Sequence, residues 1–349
     1  MGGLLQYSGI STKIRAMHKY LLTEQDFREL SVLSSVPDVV AYLKRIPTYA
    51  QLFAGLDELH LHRGDIEQCL SGAIYLDFEK LYKFADMQQR RFLDMLFRSY
   101  VVRVIKQCVE YVLEQTSCAP ALVDLHPFFT AHSGLNITVL SGCTTMDGLI
   151  AALAGTGYEQ PLKTVHSATA LTRFDYEMAL DLYTFRLFWK NIDRYLTGDD
   201  QKMIRQNVGS EMDLLNIQWI YRCKRYFRFE ASAVYALLIP IHYRLSEKEL
   251  RLMTEVQSVE ELSAIVAETY YGAKLPVNTD TPVRHLDLER LHYEVLNHLH
   301  SMNSRSHPYS VAVLYSYIYR KNMELRRVTS LLESIRYSLD PTGVYQNIM

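Results

Sequence analysis

His285, Glu289 and His292 stand at i, i+4 and i+7, so a helix would carry all three on one face. Two imidazoles and a carboxylate in that pattern are three of the four ligands of a zinc site. No cysteine and no second H-x-x-x-H supplies a fourth, and a polar helix face accounts for the same residues. His298 and His300, two apart, point to different faces, and His60-Leu61-His62 falls in a loop-like stretch. Asp199 and Asp200 would hold magnesium only with a further acid, and the following "QKMI" has none; a solvated turn after Gly198 is the simpler reading. "AGTGYEQPLK" at 154–163 lacks the G-x-x-x-x-G-K-[ST] order of a phosphate loop, and its glycines read as the end of a helix. G-x-S-x-G is absent. The sequence thus predicts no catalytic residues, no cofactor-binding residues and no metal ligands, and therefore no enzyme.

The elements that carry these residues are helices, and they repeat. "LLTEQDFRELSVLSSVPDVVAYL" at 21–43 returns without a gap as "RLSEKELRLMTEVQSVEELSAIV" at 244–266. Thr23 with Asp26 and Ser246 with Glu249 are [S/T]-x-x-[D/E] capping boxes, in which the hydroxyl accepts a backbone N–H of the first turn and the carboxylate accepts the cap's own N–H. Leu22 with Phe27, and Leu245 with Leu250, occupy the positions of a hydrophobic staple. A second box follows in each copy, Ser35 with Asp38 and Ser258 with Glu261, so the unit is helix, tight turn, helix. A partial copy lies between them at 143–158, with Thr144 and Asp147 as its box and Tyr158 matching Tyr49. Its preceding stretch, 117–143, is rich in Pro, Ser, Gly and Thr and reads as loops or short irregular helices.

A longer helix repeats with the same period. "YVVRVIKQCVE" (100–110), "MDLLNIQWIYR" (212–222) and "MELRRVTSLLE" (323–333) align, with Val102, Leu214 and Leu325 corresponding. The expected fold class is all-α, with three pseudo-repeats of about 110 residues, spanning 1–110, 111–222 and 223–349. "LNITVL" at 135–140 is the one strand candidate.

Composition sets the remaining bounds. The chain has 349 residues, 48% of them hydrophobic and 22% charged, as an ordinary globular protein does. Its net charge of −2 argues against a nucleic-acid partner. Arg222, Lys224, Arg225 and Arg228 read as the cationic end of a helix. No apolar run reaches the ~18 residues of a membrane span, "AVYALLIPI" at 233–241 being the nearest. Five scattered cysteines without C-x-x-C read as reduced thiols.

The central copy of the long helix, "GSEMDLLNIQWIYRCKRYF" (209–227), resembles the signature of the C-type central-stalk component of V/A-type rotary ATPases, the homologue of the eukaryotic d component. "YSGISTKIRAMHKYLLTEQDFREL" resembles that family's opening, and "SVAVLYSYIYRKNMELRRVTSLLESIRYSL" its closing helix, so the resemblance covers nearly the whole chain. The sequence departs from the pattern at 117–143 and in "MELRRV", where Arg327 takes the place of an expected Asn. The resemblance implies a non-catalytic adaptor: a funnel-like, pseudo-threefold helical body, peripheral on the cytoplasmic face of the membrane. It would join the central axle (D/F-type subunits) to the proteolipid ring, for ATP-driven H⁺ or Na⁺ transport or for ATP synthesis. It would need no cofactor and no lipid insertion. A helical scaffold that binds other proteins is the alternative; a helical metal-dependent hydrolase would rest on His285, Glu289 and His292 alone.

Within the signature, Asp213 and Asn216 lie at i, i+3 and share a helix face. On a solvated face they need nothing; on a buried face each needs partners, because an unmet buried polar group costs ~1–3 kcal/mol. Together with Arg222 they are assigned as the junction between the second and third repeats.

Overall fold

The structure, a computed structural model, describes residues 2–57, 63–123, 125–168, 171–227, 229–274, 288–340 and 343. His60, His62 and His285 lie outside these residues, as does Arg228. The helices are α1 (Gly2–His18), α2 (Glu24–Ser31), α3 (Val36–Leu43), α4 (Pro47–Leu52), α5 (Arg63–Phe84), α6 (Met87–Leu113), α7 (Ala119–Leu122), α8 (Pro127–His132) and α9 (Ile137–Ser141). They continue as α10 (Met146–Ala152), α11 (Glu159–His166), α12 (Arg173–Tyr195), α13 (Gly198–Arg222), α14 (Ala231–Leu237), α15 (Glu247–Glu255), α16 (Val259–Glu268), α17 (Leu288–Ser306) and α18 (Val311–Arg336). Among the described residues there is no strand, as the all-α expectation requires.

The strand candidate is corrected. Residues 135–140 enter α9, where the Asn136 side chain accepts the Val139 N–H at 3.2 Å. The cap satisfies the first turn locally, whereas a strand would need a neighbour to take its ladder hydrogen bonds. The stretch 117–143 holds the short helices α7, α8 and α9, in line with its reading as irregular short helices.

Two compact units form. The first takes the chain to Leu93, Asp124–His132 and the chain from His307; the second takes Asp94–Val123 and Ser133–Ser306. In the first, Thr23 accepts the Asp26 N–H at 3.2 Å while Asp26 accepts the Thr23 N–H at 2.7 Å, closing the box predicted for α2. Ser35 caps α3 by accepting from Asp38. This two-helix element buries Phe27, Leu30, Val39, Val40 and Leu43 against Val328, Leu331, Leu332 and Ile335 of α18. The two ends of the chain therefore share one core.

The second unit contains the echo. Ser246 and Glu249 form the same reciprocal box at the start of α15, and Ser258 accepts the Glu261 N–H at the start of α16. Glu261 reaches one residue further back than expected and accepts from Gln257 at 3.0 Å. The middle copy is capped by Thr145, not Thr144: its hydroxyl accepts the Gly148 N–H at 3.2 Å. Asp147 faces His166 instead, at 3.3 Å. With the cap at Thr145, Tyr158 follows 13 residues later, the spacing of Ser258 and Tyr271. Gly155, at φ +77°, follows the end of α10, as the reading of "AGTGYEQPLK" required.

His18, at the end of α1, meets the Tyr317 ring edge-on at 5.3 Å. Burial, and then the Arg320 charge, hold its imidazole down at about 4. A depressed folded-state pKa makes the neutral form the stable one, so the contribution is present above the ordinary value of 6.5 and is lost as pH falls toward about 4. Replacing His18 with Gln should flatten the loss of stability across that window, by at most ~3 kcal/mol given the partial exposure. Urea midpoints of both proteins at pH 7 and pH 4.5 would measure it; equal acid sensitivity would contradict this account of His18.

Candidate functional site

Asp213 and Asn216 are fully buried in α13, so both need partners, and both have them. Asp213 Oδ1 accepts the Tyr243 N–H at 3.2 Å; Oδ2 accepts the N–H of Arg244 at 2.7 Å and of Leu245 at 3.1 Å, and the Tyr271 hydroxyl at 2.8 Å. Four donors on two oxygens suit the ionised, acceptor-only carboxylate. Burial pushes the Asp213 carboxyl up, and these donors pull it back. Asn216 treats Ile239 as a strand would, donating Nδ2 to its carbonyl at 3.1 Å and accepting its N–H on Oδ1 at 2.8 Å.

The partner segment explains the arrangement. The apolar run at 233–241 is helical only as far as Leu237, because Pro240 has no N–H and disfavours helical geometry at Ile239. Residues 239–245 then cross α13 with backbone groups that need partners. α13 supplies them from its side chains, and Gly209 makes the approach possible: a Cβ there would lie 2.5 Å from the Tyr243 ring. The clamp ends at Leu245, directly before the Ser246 cap of α15.

The first unit holds a second clamp of the same design. Glu324 follows Met323 as Asp213 follows Met212. It accepts the N–H of Leu22 at 2.6 Å, directly before the Thr23 cap, and the Tyr49 hydroxyl at 2.6 Å. Tyr49 closes its two-helix element as Tyr271 closes the other. The difference is charge compensation. Glu324 also takes the ammonium of Lys321, 1% exposed, at 2.5 Å, whereas Asp213 is held by neutral donors. Arg327, aligned with Asn216, grips Glu24 through both terminal nitrogens at 2.6 and 2.9 Å, with its guanidinium 3.7 Å over the Phe27 ring. The third matching position, on α6, is the buried Val101, which offers no carboxylate.

Of the residues assigned to the repeat junction, Asp213 and Asn216 come together on segment 239–245. Arg222 lies exposed in the last turn of α13. Gly209, Tyr271, Tyr49, Lys321 and Glu324 were missed by the sequence reading; the shared Met-acid pair of 212–213 and 323–324 is the signal that could have found Glu324. Lys224, from the basic cluster, donates to the carbonyls of Thr254, at 2.7 Å, and Val256 at the end of α15, so its charge serves that helix terminus. Asp199 and Asp200 lie in the first turn of α13. His292 lies on α17, and no group of three or more His, Cys, Asp or Glu that could hold a metal occurs among the described residues. The five cysteines are free.

The hydrogen bonds of this site join α13 to segment 239–245, and comparison with known proteins gives it a context. The sequence model of the family described as ATP synthase (C/AC39) subunit matches residues 10–346. The chain belongs to that family. The resemblance read from 209–227 is borne out over nearly the full length. Among similar proteins, the C-type component of the A-type ATP synthase of Thermococcus kodakarensis is 23% identical over 340 residues, covering 96% of this chain and 88% of its own. The same component from Thermococcus onnurineus is 24% identical over 350 residues (97% and 88%), and that from Pyrococcus horikoshii 24% over 348 residues (98% and 90%).

For this member of the family the clamp yields a graded series. Asp213→Ala leaves three backbone N–H groups and a tyrosine hydroxyl without their acceptor and should cost ~3 kcal/mol or more. Asp213→Asn keeps one acceptor oxygen and should cost less, and Tyr271→Phe only ~1–2 kcal/mol. Urea unfolding of the three variants would establish the order; a harmless Asp213→Ala would show that segment 239–245 does not depend on the carboxylate.

Proposed function

We propose that the chain is a non-catalytic central-stalk subunit of a V/A-type rotary ATPase, joining the axle to the membrane proteolipid ring. It would pass torque between ATP chemistry and H⁺ or Na⁺ movement. The observation that carries this reading is the order of the clamps. The second long helix, α13, holds the element that starts at Leu245; the third, α18, holds the element that starts at Leu22. Two of the three long helices thus anchor the start of a two-helix element in the same way. This recurrence, together with the family membership, supports a pseudo-threefold, funnel-like body with repeats at 1–110, 111–222 and 223–349. Helices held by internally satisfied polar anchors suit the transmission of force.

No helix among the described residues is long and apolar enough to cross a membrane, which fits a peripheral place held by protein contacts on the cytoplasmic face. Family membership supports a coupling role in place of chemistry.

Proline at Ile217, buried within α13, should cost ~3 kcal/mol or more by removing a helical hydrogen bond, and should loosen the clamp beside it. In vesicles carrying the reconstituted complex, ATP hydrolysis should persist while ion transport falls. Transport that keeps pace with hydrolysis in a complex lacking the chain would refute the coupling role.

A further inference from the structure

The chain leaves the second unit after Val123, runs through the first as far as His132, and rejoins the second at Ser133. This excursion is fastened to the first unit by α8, and α8 is fastened by rings. Phe129 is fully buried, 5.5 Å from the Tyr75 ring. Phe128 is buried 6.1 Å from Phe78 and 5.2 Å from Tyr82, and all three partners stand on α5. His132, exposed at the end of α8, stacks on Phe128 at 4.2 Å and meets the Tyr82 ring edge-on at 4.5 Å.

The two phenylalanines are set side by side by the first turn of α8, and one residue supplies the acceptors for that turn. Pro127 has no N–H to place. The Phe128 N–H donates to His126 Nδ1 at 3.1 Å, and the N–H groups of Phe129 and Thr130 donate to the His126 carbonyl at 2.8 and 3.3 Å. A helix of six residues does not hold itself together in water, so this cap matters. Nδ1 accepts only while it carries no proton, which requires a neutral imidazole with its proton on Nε2. Nε2 faces Glu79 Oε2 at 4.0 Å, but Glu79 is already held by Lys83 at 2.8 Å, with Lys80 near enough for its charge to act on it. At the other end of α8, the Arg90 guanidinium lies 5.8 Å from the Tyr82 ring, and its charge acts on His132. Burial lowers both imidazoles; Glu79 draws His126 part of the way back, and Arg90 pushes His132 further down.

We propose that His126 makes the attachment of segment 125–132 to α5 an acid-sensitive latch. A proton taken up at Nδ1 sets a second donor against the Phe128 N–H, undoes the first turn of α8 and releases Phe128 and Phe129 from α5. The folded-state value lies below the ordinary 6.5, so the closed latch is stable above 6.5 and weakens as pH falls from there toward the folded value. One proton shifts the opening equilibrium by at most ~tenfold per pH unit in that window. The latch is a property of the first unit by itself and is independent of the rotor reading.

The test is hydrogen exchange of the full chain at pH 7.5 and pH 5.5, read by mass spectrometry and corrected for the intrinsic pH dependence of exchange. Protection of the amides of residues 128–132 should fall ~threefold or more at the lower pH, beyond any change in α2 and α3, which report the acid sensitivity of the unit as a whole. His126→Asn keeps a capping acceptor that does not titrate and should protect α8 equally at both pH values. His126→Ala should leave it poorly protected at both. His132→Phe keeps the ring stack without the second imidazole and should retain the fall. Unchanged protection in the unaltered chain, a fall shared by His126→Asn, or a fall abolished by His132→Phe would overturn the latch.

Discussion

A carboxylate taken out of water must be given back what water supplied, and most of this fold is arranged around two places where that happens. Moving an ion into the interior costs several kcal/mol even after relaxation, and only dense hydrogen bonding or a close opposite charge offsets it. Asp213 is met by three backbone amides and a phenol, Glu324 by a lysine, a phenol and one amide. In both, the donors come from a segment that must be fixed for a capped helix pair to begin in the right place. The carboxylate is therefore a constraint on chain path, and the apolar packing of α2–α3 and α15–α16 follows from it.

The two solutions have different physical consequences. Around Asp213 the donors are neutral and belong largely to the backbone, so the segment 239–245 and the acid need each other. Around Glu324 the charge is balanced by Lys321 on the same helix, and burial with the Glu324 carboxylate nearby pushes the Tyr49 hydroxyl well up. The outer face of that clamp is closed by Arg327 on Glu24, where α13 uses Asn216 on Ile239. An arginine at this position thus performs a comparable tethering with a different chemistry: it reaches a side chain at the start of α2 where the amide reaches a backbone.

The middle element shows what happens without the acid. Val101 is buried where a carboxylate stands in the other two long helices, and the element is shorter: Thr145 follows Asn136 by nine positions, whereas Ser35 follows Thr23 by 12. Its leading helix, α9, has five residues where α2 has eight. A buried anchor and a full-length helix are lost together, which is consistent with the anchor's role in setting where the helix starts.

The sequence by itself determined the all-helical class and the caps of the two outer copies, at 21–43 and 244–266. Thr23 with Asp26 and Ser246 with Glu249 are contacts between residues three apart, and such contacts are written in local order whatever the rest of the chain does. The i, i+3 spacing of Asp213 and Asn216 likewise placed them on one face. Tertiary structure alone decided that this face is buried, that its partners are Ile239 and residues 243–245, and that Leu22 and Glu324, 302 residues apart, close the first unit. It also moved the middle cap from Thr144 to Thr145, made residues 137–141 helical, and left Arg222 exposed at the end of α13. The reason is common to all of these. A polar side chain specifies that it needs a partner and how many bonds it can make, but which backbone comes within about 3 Å is fixed by the packing of elements far apart in the chain.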